Sequence, residues 1–242
     1  MNLVIDVGNT LVKTAVFDRG NIIHLQSHEN INPGIINDVL QGFPQIDAII
    51  IGSVRELPEN VLHFFPAGIK LILLGPDTPL PVKHKYKTFD TLGPDRIACV
   101  VAANKLYPGQ DVLLVETGTC ITYDFIDADG LYHGGGISPG LDMRFRALHT
   151  FTDKLPLIEP EKNPALVGNT TENAILSGVV NGVKAEVSGL ISCYESNYEN
   201  LTIILSGGDL DYFDKNLKNN IFAVPNVVLK GLNIILEFND KN

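Results

Sequence analysis

The stretch Leu3-Val4-Ile5-Asp6-Val7-Gly8-Asn9-Thr10 decides the fold, because its pattern returns in Val112-Leu113-Leu114-Val115-Glu116-Thr117-Gly118-Thr119-Cys120. Each copy runs from an apolar strand into an acidic residue, a Gly and a short polar residue, and a second apolar segment follows (residues 11–17 and 121–126). One copy alone could be an ordinary hairpin with a Gly turn. The acidic positions 6 and 116 lie 110 residues apart, and a repeat at this spacing predicts a duplicated α/β domain.

The remaining segments alternate between strand and helix patterns, which indicates an α/β fold with parallel pairings. Further strands are predicted at residues 21–28, 47–51, 70–74, 131–137 and 201–205, and helices at 33–40, 58–65, from Pro94 onward, 141–149, 171 to about 198, and 227–238. Residues 75–92 are predicted to be a loop or a cleft wall. We expect one half at residues 1–109 and a second at 110–242, with a cleft between them; the last helix could pack back on the first half.

The composition of the 242-residue chain excludes several classes of protein. With 18 Lys and Arg against 28 Asp and Glu, the net charge is −10, which argues against a nucleic-acid binder. Three Cys are too few and too scattered for a disulfide framework or a zinc site. The N-terminus does not resemble a signal peptide, and no apolar run approaches the length of a membrane span. We therefore expect a cytoplasmic protein that binds neither nucleic acid nor a membrane.

The first glycine turn suits a phosphate chain. Gly8 permits close approach to the backbone, and Asp6 could hold a cation or its water. The turn lacks the Gly-Lys-Ser/Thr of a Walker loop. Lys13 is near, although on a strand its side chain could point elsewhere. A purely structural turn is an equally good interpretation of these residues alone.

A second candidate lies at Gly93-Pro94-Asp95-Arg96, where a helix is predicted to begin. An ionised Asp there could accept the proton of a substrate hydroxyl, and Arg could clamp a carboxylate or phosphate. An exposed Asp–Arg pair is the simpler interpretation. The small-residue stretches Gly134 to Gly140 and Ser206-Gly207-Gly208-Asp209 could touch a flat or anionic ligand, although a tight turn is the better interpretation of each taken separately. Tyr86 could line a pocket or pack on the surface.

In this order along the chain, these segments resemble the type III pantothenate kinases. Besides the first glycine turn, Gly93-Pro94-Asp95-Arg96 and Ser206-Gly207-Gly208-Asp209, the resemblance includes Glu116-Thr117-Gly118-Thr119, the run from Gly134 to Gly140, Gly168-Asn169-Thr170-Thr171 and residues 225–232. The resemblance implies the actin/Hsp70/sugar-kinase fold, a duplication of ribonuclease-H-like α/β domains. It also implies phosphorylation of the terminal hydroxyl of pantothenate by ATP with Mg²⁺, in a cytoplasmic homodimer.

The resemblance also assigns site residues. ATP would be bound by Thr119 and by the first turn, Asp6, Val7, Gly8, Asn9, Thr10, Leu11, Val12 and Lys13. Pantothenate would contact Tyr86, Gly93, Pro94, Asp95, Arg96 and Thr171, with Asp95 as the catalytic proton acceptor. Glu116 would bind a monovalent cation, K⁺ or NH₄⁺.

The chain departs from the family pattern at three places. Glu116 stands where the family usually has Asp, Cys120 where it usually has Ala, and residues 86–92 lack an Asn-Pro pair. Two other functions remain open: a non-catalytic nucleotide-binding accessory or regulatory protein of the same fold, and another phosphotransferase or phosphohydrolase. Intact Asp6, Asp95 and Arg96 favour the kinase.

Overall fold

The computed structural model describes residues 1–213 and 220–240 and divides the chain into two compact units. The first unit comprises Met1–Leu106 together with the C-terminal segment that begins at Asn226, and the second is Tyr107–Pro225.

The first unit is built on a mixed five-stranded sheet in the order β3-β2-β1-β4-β5. Strands β1, β2 and β3 form an antiparallel meander, whereas β4 and β5 continue the sheet parallel to β1. The central strand β1 is apolar on both faces because both are covered, and Leu3, Val4 and Ile5 are completely buried. The strands are β1 (Asn2–Val7), β2 (Val12–Asp18), β3 (Asn21–His28), β4 (Ala48–Ser53) and β5 (Lys70–Leu73).

Three α-helices accompany this sheet: α1 (Pro33–Gly42), α2 (Pro94–Leu106) and α6 (Val227–Asp240). Helix α1 begins where Pro33 needs no hydrogen-bond partner and the Asn32 side chain accepts a bond from the Ile35 N–H at 3.1 Å. Helix α6 packs on α2, β1 and β4, and its Asn233 Oδ1 accepts a bond from Asn2 Nδ2 at 2.8 Å. The C-terminal helix is therefore part of the first unit's core.

The second unit repeats the same strand order, β9-β8-β7-β10-β11. Again three strands form an antiparallel meander, and two strands extend it in parallel. The strands are β7 (Val112–Thr117), β8 (Cys120–Ile126), β9 (Leu131–Pro139), β10 (Thr202–Gly207) and β11 (Ile221–Ala223). Each of the two acid-and-glycine stretches connects the first two strands of its unit, so the repeat in the sequence is a repeat in topology.

The helices of the second unit are α3 (Leu141–Thr150), α4 (Thr171–Leu176) and α5 (Gly182–Glu195), with a π-helical segment, Ser177–Asn181, joining α4 to α5. Contrary to the expectation from the sequence, one run in residues 1–213 and 220–240, Thr171–Glu195, has the length and apolar composition of a membrane span. Its apolar stripe is accounted for by packing, since it is buried in the unit's core at Ile175, Val179, Val183, Val187 and Ile191.

The structure differs from the predicted elements in three places. The helix predicted at residues 58–65 is only a 3₁₀ turn, Val61–Phe64, because Pro66 disfavours helical geometry at Phe65. The helix predicted to reach residue 198 contains the π segment and ends at Glu195. The predicted loop at 75–92 holds a two-residue strand, β6 (Lys83–His84), and a 3₁₀ turn, Phe89–Thr91, and strand β11 was not predicted.

Candidate active site

The first hairpin places Asp6 and Lys13 directly opposite each other across β1 and β2. The turn is closed by the Gly8 N–H, which donates to the Leu11 carbonyl at 3.0 Å. A Cβ at Gly8 would lie 3.1 Å from that carbonyl oxygen, so a side chain would press on the turn.

Not every residue of this hairpin can reach a ligand with its side chain. The side chains of Val7 and Val12 are buried in the core, whereas Asn9, Thr10 and Leu11 are exposed at the tip. Val7 and Val12 can therefore offer only backbone groups to a phosphate chain.

Asp6 is the most perturbed carboxyl group of the first unit. Burial raises the pKa of Asp6 to about 6, with a further increase from the negative charge of Asp95 and an opposing effect of Lys13. The influence of Asp95 shows that the two carboxyl groups lie close enough to interact. A partly buried acid whose pKa is raised mainly by burial, and further by a second acid, is stabilised as an anion by a nearby cation.

Asp95 lies in the first turn of α2, where the helix dipole favours a negative charge. Its Oδ1 accepts a hydrogen bond from the Arg96 N–H at 2.8 Å. A Cβ at position 93 would collide with this same Oδ1, so the carboxylate can adopt its position only because residue 93 is Gly. The observed position of the Asp95 carboxylate therefore depends on the absence of a side chain at residue 93.

Arg96 is buried, with only 5% of its surface exposed. Its guanidinium carbon lies 5.8 Å from the centre of the Tyr86 ring, a cation–π distance. The exposed Asp–Arg pair that composition allowed is therefore wrong: Arg96 points inward and meets Tyr86, another of the predicted substrate residues.

A cavity of about 610 Å³ opens beside the start of α2. Gly93 and Pro94 form part of its wall, and Arg55 and Glu56 bring one charge of each sign to its lining. The volume falls within the range that small-molecule sites occupy.

The second hairpin presents Glu116 and Thr119 at the junction of β7 and β8. Thr119 is exposed, whereas Glu116 is partly buried, with its carboxylate beside Gly118. The Gly118 N–H donates to the Cys120 carbonyl at 3.0 Å and closes the turn. Within residues 1–213 and 220–240, no three His, Cys, Asp or Glu side chains form a metal-binding group, so Glu116 would need backbone oxygens or water as further ligands.

The glycine stretches that could have touched a ligand have packing reasons of their own. A Cβ at Gly135 would overlap the Tyr123 carbonyl, and one at Gly207 would overlap the Thr117 carbonyl. The Gly207 backbone also has a φ of +107°, which disfavours any side chain. At both positions, close strand approach is sufficient reason for Gly.

Thr171 is exposed at the start of α4, next to Thr170, whose hydroxyl accepts the Asn173 N–H at 3.1 Å. It lines an apolar groove of about 860 Å³ between α3 and the helices that follow Thr170. Phe151 and Arg144 line the same groove. Thr171 thus belongs to a helix-lined groove of the second unit, whereas Tyr86 and residues 93–96 belong to the first.

Two polar residues of the second unit escaped the sequence interpretation. Arg144 and Glu186 form an ion pair at 2.7 Å that also involves Ser138. Nothing in the spacing indicates this pair, because Glu186 sits among the apolar residues of a long helix and Arg144 is 42 positions away.

Comparison with known proteins identifies the family and the fold. A family model described as type III pantothenate kinase matches residues 2–193. A type III pantothenate kinase of Phocaeicola vulgatus is 47% identical over 242 residues and covers all of both chains. Among solved structures, a chain described as a Baf family transcriptional activator from Campylobacter jejuni superposes with a TM-score of 0.62 at 21% identity, covering 99% of this chain and 100% of its own.

A chain described as a 2-dehydro-3-deoxygalactonokinase from Sinorhizobium meliloti superposes with a TM-score of 0.58 at 14% identity, covering 97% of this chain and 95% of its own. At these identities the structures establish the fold alone, the actin/Hsp70/sugar-kinase fold that the family resemblance implies and with which the repeated sheets agree. The family model matches 192 consecutive positions, 2 to 193, and the relative from Phocaeicola vulgatus is 47% identical over the full length. The chain therefore belongs to the type III pantothenate kinase family.

Proposed function

We propose that this protein transfers the γ-phosphoryl group of ATP to the terminal hydroxyl of pantothenate, giving 4'-phosphopantothenate in the first step of coenzyme A biosynthesis. Full-length identity to type III pantothenate kinases supports the activity. The structural observation that supports it is the arrangement at the start of α2, where the Asp95 carboxylate accepts the Arg96 N–H and the Arg96 side chain is buried against Tyr86.

ATP binds at the first hairpin in this proposal, through Asp6, the backbone of residues 7–12 and Lys13, and at Thr119 of the second. Asp6 would hold Mg²⁺ or one of its waters, because a partly buried carboxyl group with a raised pKa is stabilised as an anion by a nearby cation. The metal would neutralise charge on the phosphates during transfer. A protein of net charge −10 can therefore bind a triphosphate through local groups.

Pantothenate occupies the region of Tyr86, Gly93, Pro94, Asp95 and Arg96, and Thr171 contributes from its groove. The substrate hydroxyl oxygen forms a bond to the γ-phosphorus, and the bond to the β–γ bridging oxygen breaks, leaving ADP with the electron pair. Asp95 accepts the hydroxyl proton late in the transfer. The Arg96 N–H bond and the space at Gly93 keep its carboxylate oriented for that step.

Asp95→Asn tests the proposal directly. The amide keeps the size of the side chain but cannot accept the proton, so kcat should fall by about 10²- to 10⁴-fold. Pantothenate-dependent release of ADP is measured by a coupled assay, and ATP binding and thermal unfolding show whether the variant is intact. The exposed Asp38 of α1 offers a matched control, since Asp38→Asn should retain wild-type turnover. Near-wild-type turnover by Asp95→Asn would show that Asp95 is not the proton acceptor.

Further features of the proposal concern ion, assembly and compartment. Glu116 binds K⁺ or NH₄⁺ beside the nucleotide, its longer side chain still supplying carboxylate oxygens. The two units act as two domains, divided near residue 109. The enzyme works in the cytoplasm, in keeping with three cysteines, Cys99, Cys120 and Cys193, that form no disulfide in the part of the chain that the structure describes.

We further propose that the enzyme is a homodimer joined at the groove of Thr171. Three large apolar side chains are more exposed than any others among the described residues: Phe151 (86%), Leu166 (80%) and Val167 (81%). Phe151 lines the groove, and Leu166 and Val167 lie in the connection that leads to Thr171. Exposed apolar surface of this kind is typical of a protein interface.

A further inference from the structure

Glu186 anchors a hydrogen-bonded cluster in the second unit that the proposed reaction does not use. We propose that Glu186 is a positioning residue, which holds the turn of Glu116 and Thr119 in place by acting through Ser138, Arg144 and the strand end they share. This inference rests on the proposed function, in which that turn binds ATP and a monovalent cation.

The carboxylate of Glu186 receives three donors from three different elements. Ser138 at the end of β9 donates to Oε1 at 2.5 Å, and the Tyr123 hydroxyl of β8 donates to the same oxygen at 3.3 Å. Arg144 of α3 donates to Oε2 at 2.7 Å. Glu186 itself is fixed because its helix neighbours Val183 and Val187 are buried in the core.

The charges of the cluster are matched. Burial opposes the ionisation of Glu186, but the hydrogen bonds from Ser138 and Arg144 outweigh it and hold the pKa below its ordinary value. Burial, with Glu186 next in effect, raises the pKa of Tyr123, so its hydroxyl stays a donor. The side chains of Arg144 and Glu186 are only 24% and 28% exposed, so a change in either charge is felt locally.

Arg144 extends the cluster to the backbone. Its Nε donates to the Pro139 carbonyl at 2.8 Å, while its Nη2 also lies 3.3 Å from the Ser138 hydroxyl. Glu186 therefore secures two consecutive residues at the end of β9, one directly and one through Arg144.

That strand end is the support of the second turn. Pro139 pairs with Cys120 in the sheet, and the Gly140 N–H donates to the Thr119 carbonyl at 3.0 Å. A Cβ at Gly140 would overlap the Gly118 carbonyl, so the two backbones are in direct contact. Because these backbones are closely packed, a displacement of residues 138–140 must displace the turn of Glu116 and Thr119.

Glu186→Gln is the test, because it preserves size but removes the negative charge that pairs with the Arg144 guanidinium. The KM for ATP and the K⁺ concentration for half-maximal activity should each rise by about tenfold, the lower end of the loss seen when supporting partners of a metal site are removed. Affinity for a fluorescent ATP analogue, measured without turnover in K⁺, should weaken in parallel. A purely structural role would instead lower the unfolding temperature and leave these constants unchanged.

Two further variants complete the experiment. Ser138→Ala removes one donor but keeps the Arg144–Glu186 pair. It should therefore raise the KM for ATP and the K⁺ concentration for half-maximal activity by less than Glu186→Gln does. If Glu186→Gln does not fold, Ser138→Ala tests the positioning role. Glu195, at the other end of α5, bonds Asn220 at 3.1 Å, and Glu195→Gln should stay within about twofold of wild type.

The outcomes separate the two proposals. If the wild-type protein released no ADP in response to pantothenate, the proposed function would be contradicted. The affinity for the ATP analogue would still report on the turn of Glu116 and Thr119. Folded Glu186→Gln and Ser138→Ala with ATP-analogue affinity and K⁺ dependence equal to wild type would overturn the positioning role.

Discussion

At the scale of single residues, the site depends on one carboxyl group that is costly to ionise. Asp6 sits at the end of a buried strand with its pKa raised to about 6, and Lys13, directly across the sheet, compensates only part of the burial. Since folded Asp6 binds its proton more tightly than an unfolded Asp, ionisation costs stability: the cost is absent below about pH 4 and complete above about pH 6.

Asp6→Asn should therefore stabilise the ligand-free protein in a pH-dependent manner while weakening ATP binding. At pH 8 the free energy of unfolding should rise by up to about 3 kcal/mol, the cost that corresponds to the raised pKa. At pH 4.5 most of the gain should vanish, because wild-type Asp6 is then largely protonated in the folded state. Urea unfolding at both pH values measures it. An equal effect at the two pH values would show that burial does not perturb Asp6.

A corresponding prediction for the second hairpin concerns Glu116 and the dependence of activity on a monovalent cation. Wild-type activity should increase with K⁺ or NH₄⁺, and Glu116→Ala should weaken the apparent affinity for that ion by at least about tenfold. Titration of the two chlorides against choline chloride at constant ionic strength isolates the effect. Glu199→Ala, a change at an exposed position, is the control. A wild-type enzyme indifferent to both ions would remove Glu116 from the site.

At the scale of elements, the packing of α6 on α2 decides how the C-terminal segment joins the first unit. A Cβ at Gly231 would overlap the Ala98 carbonyl of α2, so the two helices approach with backbone in contact. Asp95 lies in the first turn of α2, so this packing supports the helix that carries the proposed proton acceptor.

Gly231→Ala should destabilise the protein by about 1–3 kcal/mol or more, because an extra methyl group in a tight contact forces the helices apart. Gly189→Ala is a matched control: it lies within helix α5, has open space around its Cβ position and should be neutral or stabilising by up to about 1 kcal/mol. Thermal unfolding compares the two. Equal stability of both variants would mean that α6 can shift away from α2 at no cost.

The elements that were predicted and those that were missed differ in how local their causes are. The two hairpins follow from strand and turn chemistry within about ten residues, and their equivalence follows from repetition. The π segment is different: apolar residues at intervals of four drift by about 40° per step around an α-helix, and one wide turn takes up part of this drift. That choice is made by the core against which the helix packs.

The same distinction holds for the site. Gly93, Asp95 and Arg96 were identified because the sequence itself carries a recognisable run, but the inward direction of Arg96 depends on Tyr86, ten positions earlier. The cluster of Glu186 joins residues up to 63 positions apart, and no local pattern contains that information.

At the scale of the whole molecule, one chain carries the same strand order twice, and the predicted site residues are divided between the copies. The first unit provides Asp6, Asp95 and Arg96, and the second provides Glu116, Thr119 and Thr171. In the proposed function, the first copy provides the nucleotide turn and the proton acceptor, and the second provides the cation ligand together with Thr119 and Thr171. The exposed apolar side chains by Thr171 belong to the second copy.

Those side chains allow the homodimer to be tested together with the substrate site. The mass of the wild-type protein measured by sedimentation should be twice that of one chain. Phe151→Asp, which places a charge in the apolar groove of Thr171, should give monomers. Because Thr171 shares that groove, the monomer should also show a raised KM for pantothenate. Leu62→Asp is the control, as Leu62 is 52% exposed in the first unit, and it should stay dimeric. A wild-type monomer at micromolar concentration would contradict the assembly, and an unchanged KM in monomeric Phe151→Asp would separate Thr171 from the interface.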